Sequence, residues 1–157
     1  MKKSNVMRLL EQANVEYEAF EYDGEEGRIS GETIAERIGQ PTDLVCKTLV
    51  TTTDRREYFV FVVPVRASLD LKRAAKAAGV KDLAMLPLNK LFPLTGYVHG
   101  GCSPIGLKTA MRVFIDQSLE DRPSMYVSGG RIGLNVKVAP ADLARMVSAS
   151  FAPLATD

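Results

Sequence analysis

One histidine and two cysteines are too few for a metal centre of the usual kinds. Neither Cys46 nor Cys102 lies in a Cys-x-x-Cys pair, and nothing has ligand spacing, so neither a metal nor a cofactor is expected. The same scarcity excludes a disulfide scaffold and points to a reducing, cytoplasmic setting. Tryptophan is absent, and no apolar run approaches the length of a membrane span. The Met1-Lys2-Lys3 start gives way at once to polar residues, unlike a secretory leader. No membrane partner is expected. An excess of either charge is missing too. The chain has 20 Lys+Arg against 19 Asp+Glu, which excludes a protein that grips nucleic acid by net charge alone. Lys72, Arg73, Lys76 and Lys81 make a local basic cluster, either a patch or a solvated helix face. With no repeat, low-complexity segment or linker, residues 1–157 read as one domain with room for a sizeable core.

What is present reads as alternating helices and strands. Ser4 caps a first helix with Val6, Leu9, Leu10 and Ala13 inward and Asn14 at its end; a half-buried strand follows from Val15 towards Phe20 or Tyr22. Residues 23–27 are acidic and glycine-rich, an exposed loop. Ser30 caps a second helix, with Ile34, Ala35 and Ile38 inward and Gly39 as its stop. Residues 44–52 and 58–65 predict two central strands joined by a polar hairpin, the second apolar on both faces. Asp70 caps a helix over 71–78. Residues 80–85 make a weak strand, and 87–92 a helical turn ended by Pro93. Strands are expected at 111–115, 124–127 and 132–138, the last two hairpinned, and Pro140 opens a final helix. Residues 152–157 read as a frayed tail. The order predicts an α+β fold, a mixed and mainly antiparallel sheet with flanking helices.

Two glycine-rich segments concentrate the unusual residues. Residues 95–106 hold four of the twelve glycines, His99 and Cys102; residues 128–133 repeat the Gly-Gly turn. Such turns either wall a ligand pocket with backbone amides or are ordinary tight turns. A phosphate-binding P-loop is excluded, because Lys108 comes one residue too late and Pro104 has no amide. There is no Gly-x-Ser-x-Gly elbow. Three residues across a Gly-Gly turn do not ensure that His99 reaches the Cys102 sulfur, so Cys102 is either a nucleophile or a small wall residue. His99 is either partly buried or ligand-facing. Lys47 interrupts a strand face shared with Val45, Leu49 and Thr51. It either holds an anionic or carbonyl partner or snorkels to water.

These residues together resemble the YbaK/EbsC family of small aminoacyl-tRNA deacylases, related to the editing domain of bacterial prolyl-tRNA synthetases. The matching segments are 45–49, 69–72, 96–106 and 126–134, in family order. The resemblance implies an α+β fold and trans editing of mischarged tRNA: removal of cysteine from tRNA(Pro), and from tRNA(Cys). It implies an aminoacyl-tRNA 3′ end as substrate and prolyl-tRNA synthetase as partner. It places the pocket lysine at Lys47, the strand tyrosine at Tyr22, the Gly-x-x-x-Pro loop at Gly100 and Pro104, and the later turn at Gly129 and Gly130. Ser128 and His99 fall beside these as substrate-binding positions. In the reaction the family implies, the substrate's own thiol attacks its ester, amides of Gly100, Gly101, Cys102 and Ser103 stabilise the oxyanion, and Lys47 holds the terminal phosphate or ribose. Bulk at Gly101 is then expected to damage turnover more than stability. One position departs from the pattern. Asn135 follows Gly133-Leu134 where cysteinyl-specific members often carry aspartate. The alternatives are a deacylase for another small amino acid, such as alanine on tRNA(Pro), and a non-catalytic binder of nucleotides or tRNA ends.

Overall fold

A computed structural model describes residues 1–24 and 29–156. Most of the acidic loop expected at 23–27 lies outside the described residues. In chain order the elements are α1 (Asn5–Gln12), β1 (Glu18–Glu21), α2 (Gly31–Ile38), β2 (Cys46–Thr52), β3 (Tyr58–Pro64), β4 (Ser68–Leu69), α3 (Leu71–Ala78), β5 (Ala84–Met85), α4 (Leu91–Thr95), β6 (Arg112–Asp116), β7 (Met125–Ser128), β8 (Leu134–Val138), α5 (Pro140–Val147), β9 (Ser150–Ala152) and β10 (Ala155–Thr156). The three capping side chains stand where the sequence puts them. Ser4 Oγ accepts from Met7 N, Ser30 Oγ from Thr33 N, and Asp70 Oδ1 from Lys72 N and Arg73 N. The basic residues of and just after α3 are exposed.

The main sheet has the order β5-β2-β3-β6-β9, and a second sheet the order β1-β8-β7. The β2–β3 pair is antiparallel, whereas β3–β6 and β6–β9 are parallel. Tyr58–Pro64 is buried on both faces because two separate apolar clusters meet it. Val60 and Val62 face the larger core with Leu10, Ile115 and Leu134. Phe61 and Val63 face α3 through Ala74 and Ala78, and the Phe61 ring stacks on Phe114 at 5.3 Å. The two sheets meet where Val45 and Tyr126 form a single parallel bridge and Tyr126 N donates to Leu44 O at 3.0 Å.

Three local expectations are corrected. The tail does not fray: β9 adds to the main sheet, β10 pairs with β4, and Leu154 between them is fully buried. Pro93 does not end a helical turn but lies in the first turn of α4, where a missing N–H costs nothing. The strand expected over 80–85 contracts to Ala84–Met85, paired with Thr51 and Thr52. That contraction matters for the site. Between the Val45 bridge and Thr51, the second edge of β2 has no ladder partner among the described residues, although Leu86 N still donates to Val50 O at 3.0 Å.

Candidate active site

The open edge of β2 borders a cavity of about 480 Å³ at the junction of the two sheets. Its walls come from residues 45–50, the start of α2, Val65, residues 85–91, the two glycine-rich segments and Asn135 of β8. Of the twelve residues singled out from sequence, six line it: Lys47, His99, Gly100, Cys102, Ser128 and Asn135. Register explains two of these. Ser128 and Asn135 are cross-strand partners in β7 and β8, while the flanking Leu134 and Val136 turn into the larger core. An odd–even alternation therefore delivers an amide and a hydroxyl together to the cavity.

The other six stand outside the wall. Ser103 is fully buried and its Oγ accepts from Ile105 N; Pro104 is buried beside it. Tyr22 donates its backbone N–H to Gly133 O, and burial raises its phenol, a Gly133 backbone hydrogen bond partly offsetting this. Gly129 packs under Leu134, and Gly130, at φ 100°, turns the chain with its N–H on Ser128 Oγ. Gly101 is the informative one. Its N–H donates to Val98 O at 3.0 Å, so the expected run of free amides from Gly100 to Ser103 is interrupted. A Cβ on Gly101 would meet the Arg131–Ile132 backbone at 3.0 to 3.1 Å. Backbone cannot yield as a side chain can, so bulk there disturbs the packing of one glycine segment on the other.

Lys47 is half-buried, and burial lowers its ammonium pKa, with Glu32 working in the opposite sense. No carboxylate lies within ion-pair distance of it among the described residues. Asn135 is 4% exposed. Its Nδ2 has a long 3.4 Å bond to Leu134 O, and its Oδ1 has no partner among the described residues. A buried acceptor left unmade costs roughly 1–3 kcal/mol. One wall of the cavity thus offers a cation and the other an unused acceptor, a pair that suits a ligand with both an anion and a donor.

Both cysteines reach the same cavity, and both are free. Burial raises the Cys46 thiol, and pushes the Cys102 thiol up to about 12, Thr95 partly offsetting the latter. At neutral pH the Cys102 thiolate is then on the order of one molecule in 10⁵, far from the ionised form that attacks carbonyls. Cys102→Ala is therefore expected to keep deacylation within about threefold of the parent. Abolished turnover in a folded Cys102→Ala protein, or a covalent adduct on Cys102, would make it the nucleophile.

Sequence reasoning passed over Thr48, Ser30 and Gly31 on the wall, and the apolar lip at Met85 and Leu88. Ser30 is legible as a cap, but the close approach of Gly31 to Val65 beside it is a tertiary fact.

The chain belongs to the aminoacyl-tRNA editing domain family, whose model matches residues 26–146. It is an enzyme of that class, a deacylase. It is 36% identical over 155 residues to EbsC of Enterococcus faecalis, whose name carries a provisional assignment as a Cys-tRNA(Pro)/Cys-tRNA(Cys) deacylase; the match covers 99% of this chain and 94% of that protein. YwhH of Bacillus subtilis is 26% identical over 112 residues, 71% of each chain. The fold recurs in a crystal structure provisionally assigned as a trans-editing enzyme for prolyl tRNA synthetase, at TM-score 0.82 and 23% identity over 99% of this chain and 100% of that one. It recurs in protein APE2540 at TM-score 0.86 and 21% identity, over 98% and 100%.

Proposed function

We propose that this protein removes cysteine from mischarged tRNA(Pro), with tRNA(Cys) as a second substrate, and that it works beside prolyl-tRNA synthetase. The observation that carries this reading is the wall chemistry: a cation and a buried acceptor, both without a partner among the described residues, and two buried free thiols. A cysteinyl-tRNA end complements all three. Its phosphate meets Lys47, its amino group or ribose hydroxyl donates to Asn135 Oδ1, and it brings its own nucleophile. The substrate thiol attacks the ester carbonyl; a C–S bond forms, the C–O bond to ribose breaks, and the thiol proton ends on the departing ribose oxygen. The products are a cyclic thiolactone and uncharged tRNA. Gly100 and Cys102, both on the wall, carry the amides nearest the developing oxyanion, since the Gly101 amide is already engaged. Asn135 supplies hydrogen bonding without a carboxylate's charge, so its hold on a donor does not vary with protonation of the protein.

A synthetase partner follows from what the chain lacks. A charge of +1 gives little of the phosphate neutralisation that drives tight, independent tRNA binding. The test is a panel of Cys-tRNA(Pro), Cys-tRNA(Cys) and Ala-tRNA(Pro) at fixed salt, with and without prolyl-tRNA synthetase. Cys-tRNA(Pro) is expected to turn over fastest, and the synthetase to sharpen that preference. Preference for the alanyl ester would make this a deacylase for another small amino acid, and binding without turnover a non-catalytic module. A strong tRNA(Pro) preference unchanged by synthetase would remove the partner.

A further inference from the structure

Among the described residues six large hydrophobic side chains are exposed, and four of them, Met85, Leu88, Phe92 and Val98, fall within residues 85–98. Scattered exposure is ordinary, whereas contiguous exposure marks an interaction surface. Met85 and Leu88 also line the cavity, so the patch begins at its lip. A 3₁₀ turn at Leu88–Lys90 runs straight into α4. Leu88 and Phe92 therefore lie on consecutive turns of one helical segment, with the cavity-lining Leu91 between them in sequence. Phe92 is 60% exposed, and no other aromatic side chain among the described residues falls in the exposed class. The stretch contains no acidic residue and includes the exposed Lys90. Exposed Lys108 adds a second cation at the end of α4, where its N–H donates to Thr95 O at 3.0 Å.

We infer that this rim binds the single-stranded nucleotides preceding the aminoacylated end, with Phe92 as the stacking platform for the base next to the terminal one. The inference rests on the substrate reading above and extends it beyond the cavity. A cavity of about 480 Å³ lies within the roughly 300–1,000 Å³ range of sites that enclose one small molecule. That is room for a single aminoacylated nucleoside, so a longer chain must leave over the lip. An exposed aromatic face on a stretch that carries a lysine and no acidic residue is the chemistry that holds single strands irrespective of sequence.

The experiment compares the parent, Phe92→Ala and Phe92→Trp on two esters, cysteinyl-tRNA(Pro) and 3′-O-cysteinyl-adenosine. Binding of an uncharged CCA trinucleotide is measured alongside. Phe92→Ala is expected to raise KM for the tRNA ester about tenfold, about 1.4 kcal/mol, and to weaken the trinucleotide similarly. It is expected to stay within about twofold on the nucleoside ester, and Phe92→Trp to restore the tRNA ester. Equal loss on both esters, or no loss on either, overturns the inference. So does a parent dimer that Phe92→Ala dissociates, because the rim is then a self-association face. Failure of the parent to cleave either ester refutes the substrate reading instead. The trinucleotide then decides the rim alone: a tenfold weakening by Phe92→Ala supports it, and unchanged binding overturns it. Since Phe92 is exposed, melting temperatures of all three proteins should agree.

Discussion

Replacing Lys47 with methionine is expected to give a protein that melts higher than the parent and deacylates at least about tenfold more slowly. The two effects have one origin. Lys47 is a half-buried cation on the open edge of β2, with no carboxylate at ion-pair distance among the described residues, and burial pulls its pKa down. Methionine keeps the length and flexibility of the stem and removes the unpaired charge. The folded-state pKa lies below that of the unfolded chain, so between the two values the unfolded state binds more protons. Stability must therefore rise with pH through that window. Below it the burial penalty is fully present, and there the methionine variant gains most. Melting curves of both proteins from neutral pH towards the lysine range should converge. A tenfold fall in kcat/KM corresponds to about 1.4 kcal/mol of lost transition-state binding. Activity near the parent's in the folded variant would remove Lys47 from the mechanism.

Asp116→Ala is expected to be the most destabilising single substitution of a polar side chain. The carboxylate is 6% exposed and accepts four hydrogen bonds. Oδ1 takes Leu154 N at 2.9 Å and Ala155 N at 3.0 Å; Oδ2 takes Ser118 N at 3.2 Å and Ser118 Oγ at 2.5 Å. Alanine strands two amides of the C-terminal segment, each costing roughly 1–3 kcal/mol. The melting temperature should fall by about 10 °C, at roughly 2–4 °C per kcal/mol for a chain of this size. Asp116→Asn keeps an acceptor for Leu154 and Ala155 and should fall between. A drop under about 3 °C for alanine, or unchanged amide exchange at Leu154 and Ala155, would show that the tail is held by packing alone.

That tail marks the limit of what local sequence signals convey. Residues 152–157 carry no long apolar run, and nothing nearby announces that a carboxylate thirty-eight residues upstream caps Leu154. The helix caps at Ser4, Ser30 and Asp70 were legible because a cap is satisfied within three residues of itself. The buried strand Tyr58–Pro64 was legible because its composition alone excludes solvent on either face. For the site, alternation along β2 separates Lys47 from Cys46 and Thr48, yet all three border the cavity. The reason is the stretch of that edge before Val50 that lacks a ladder partner among the described residues, β5 pairing only with Thr51 and Thr52. Pairing partners of that kind are tertiary facts. The two glycine segments could be located from sequence, but their contact with one another could not.

That contact has a consequence for how such a chain can change over generations. A β-carbon on Gly101 would stand 3.0 to 3.1 Å from the Arg131–Ile132 backbone, so bulk at the seam requires the facing segment to shift. The two segments should be inherited as a matched pair, substitutions at the seam surviving only when both arrive together. Transplanting one loop from a homologue of different substrate preference would give a misfit, whereas exchanging 95–106 and 128–133 together would move the cavity's walls as a unit.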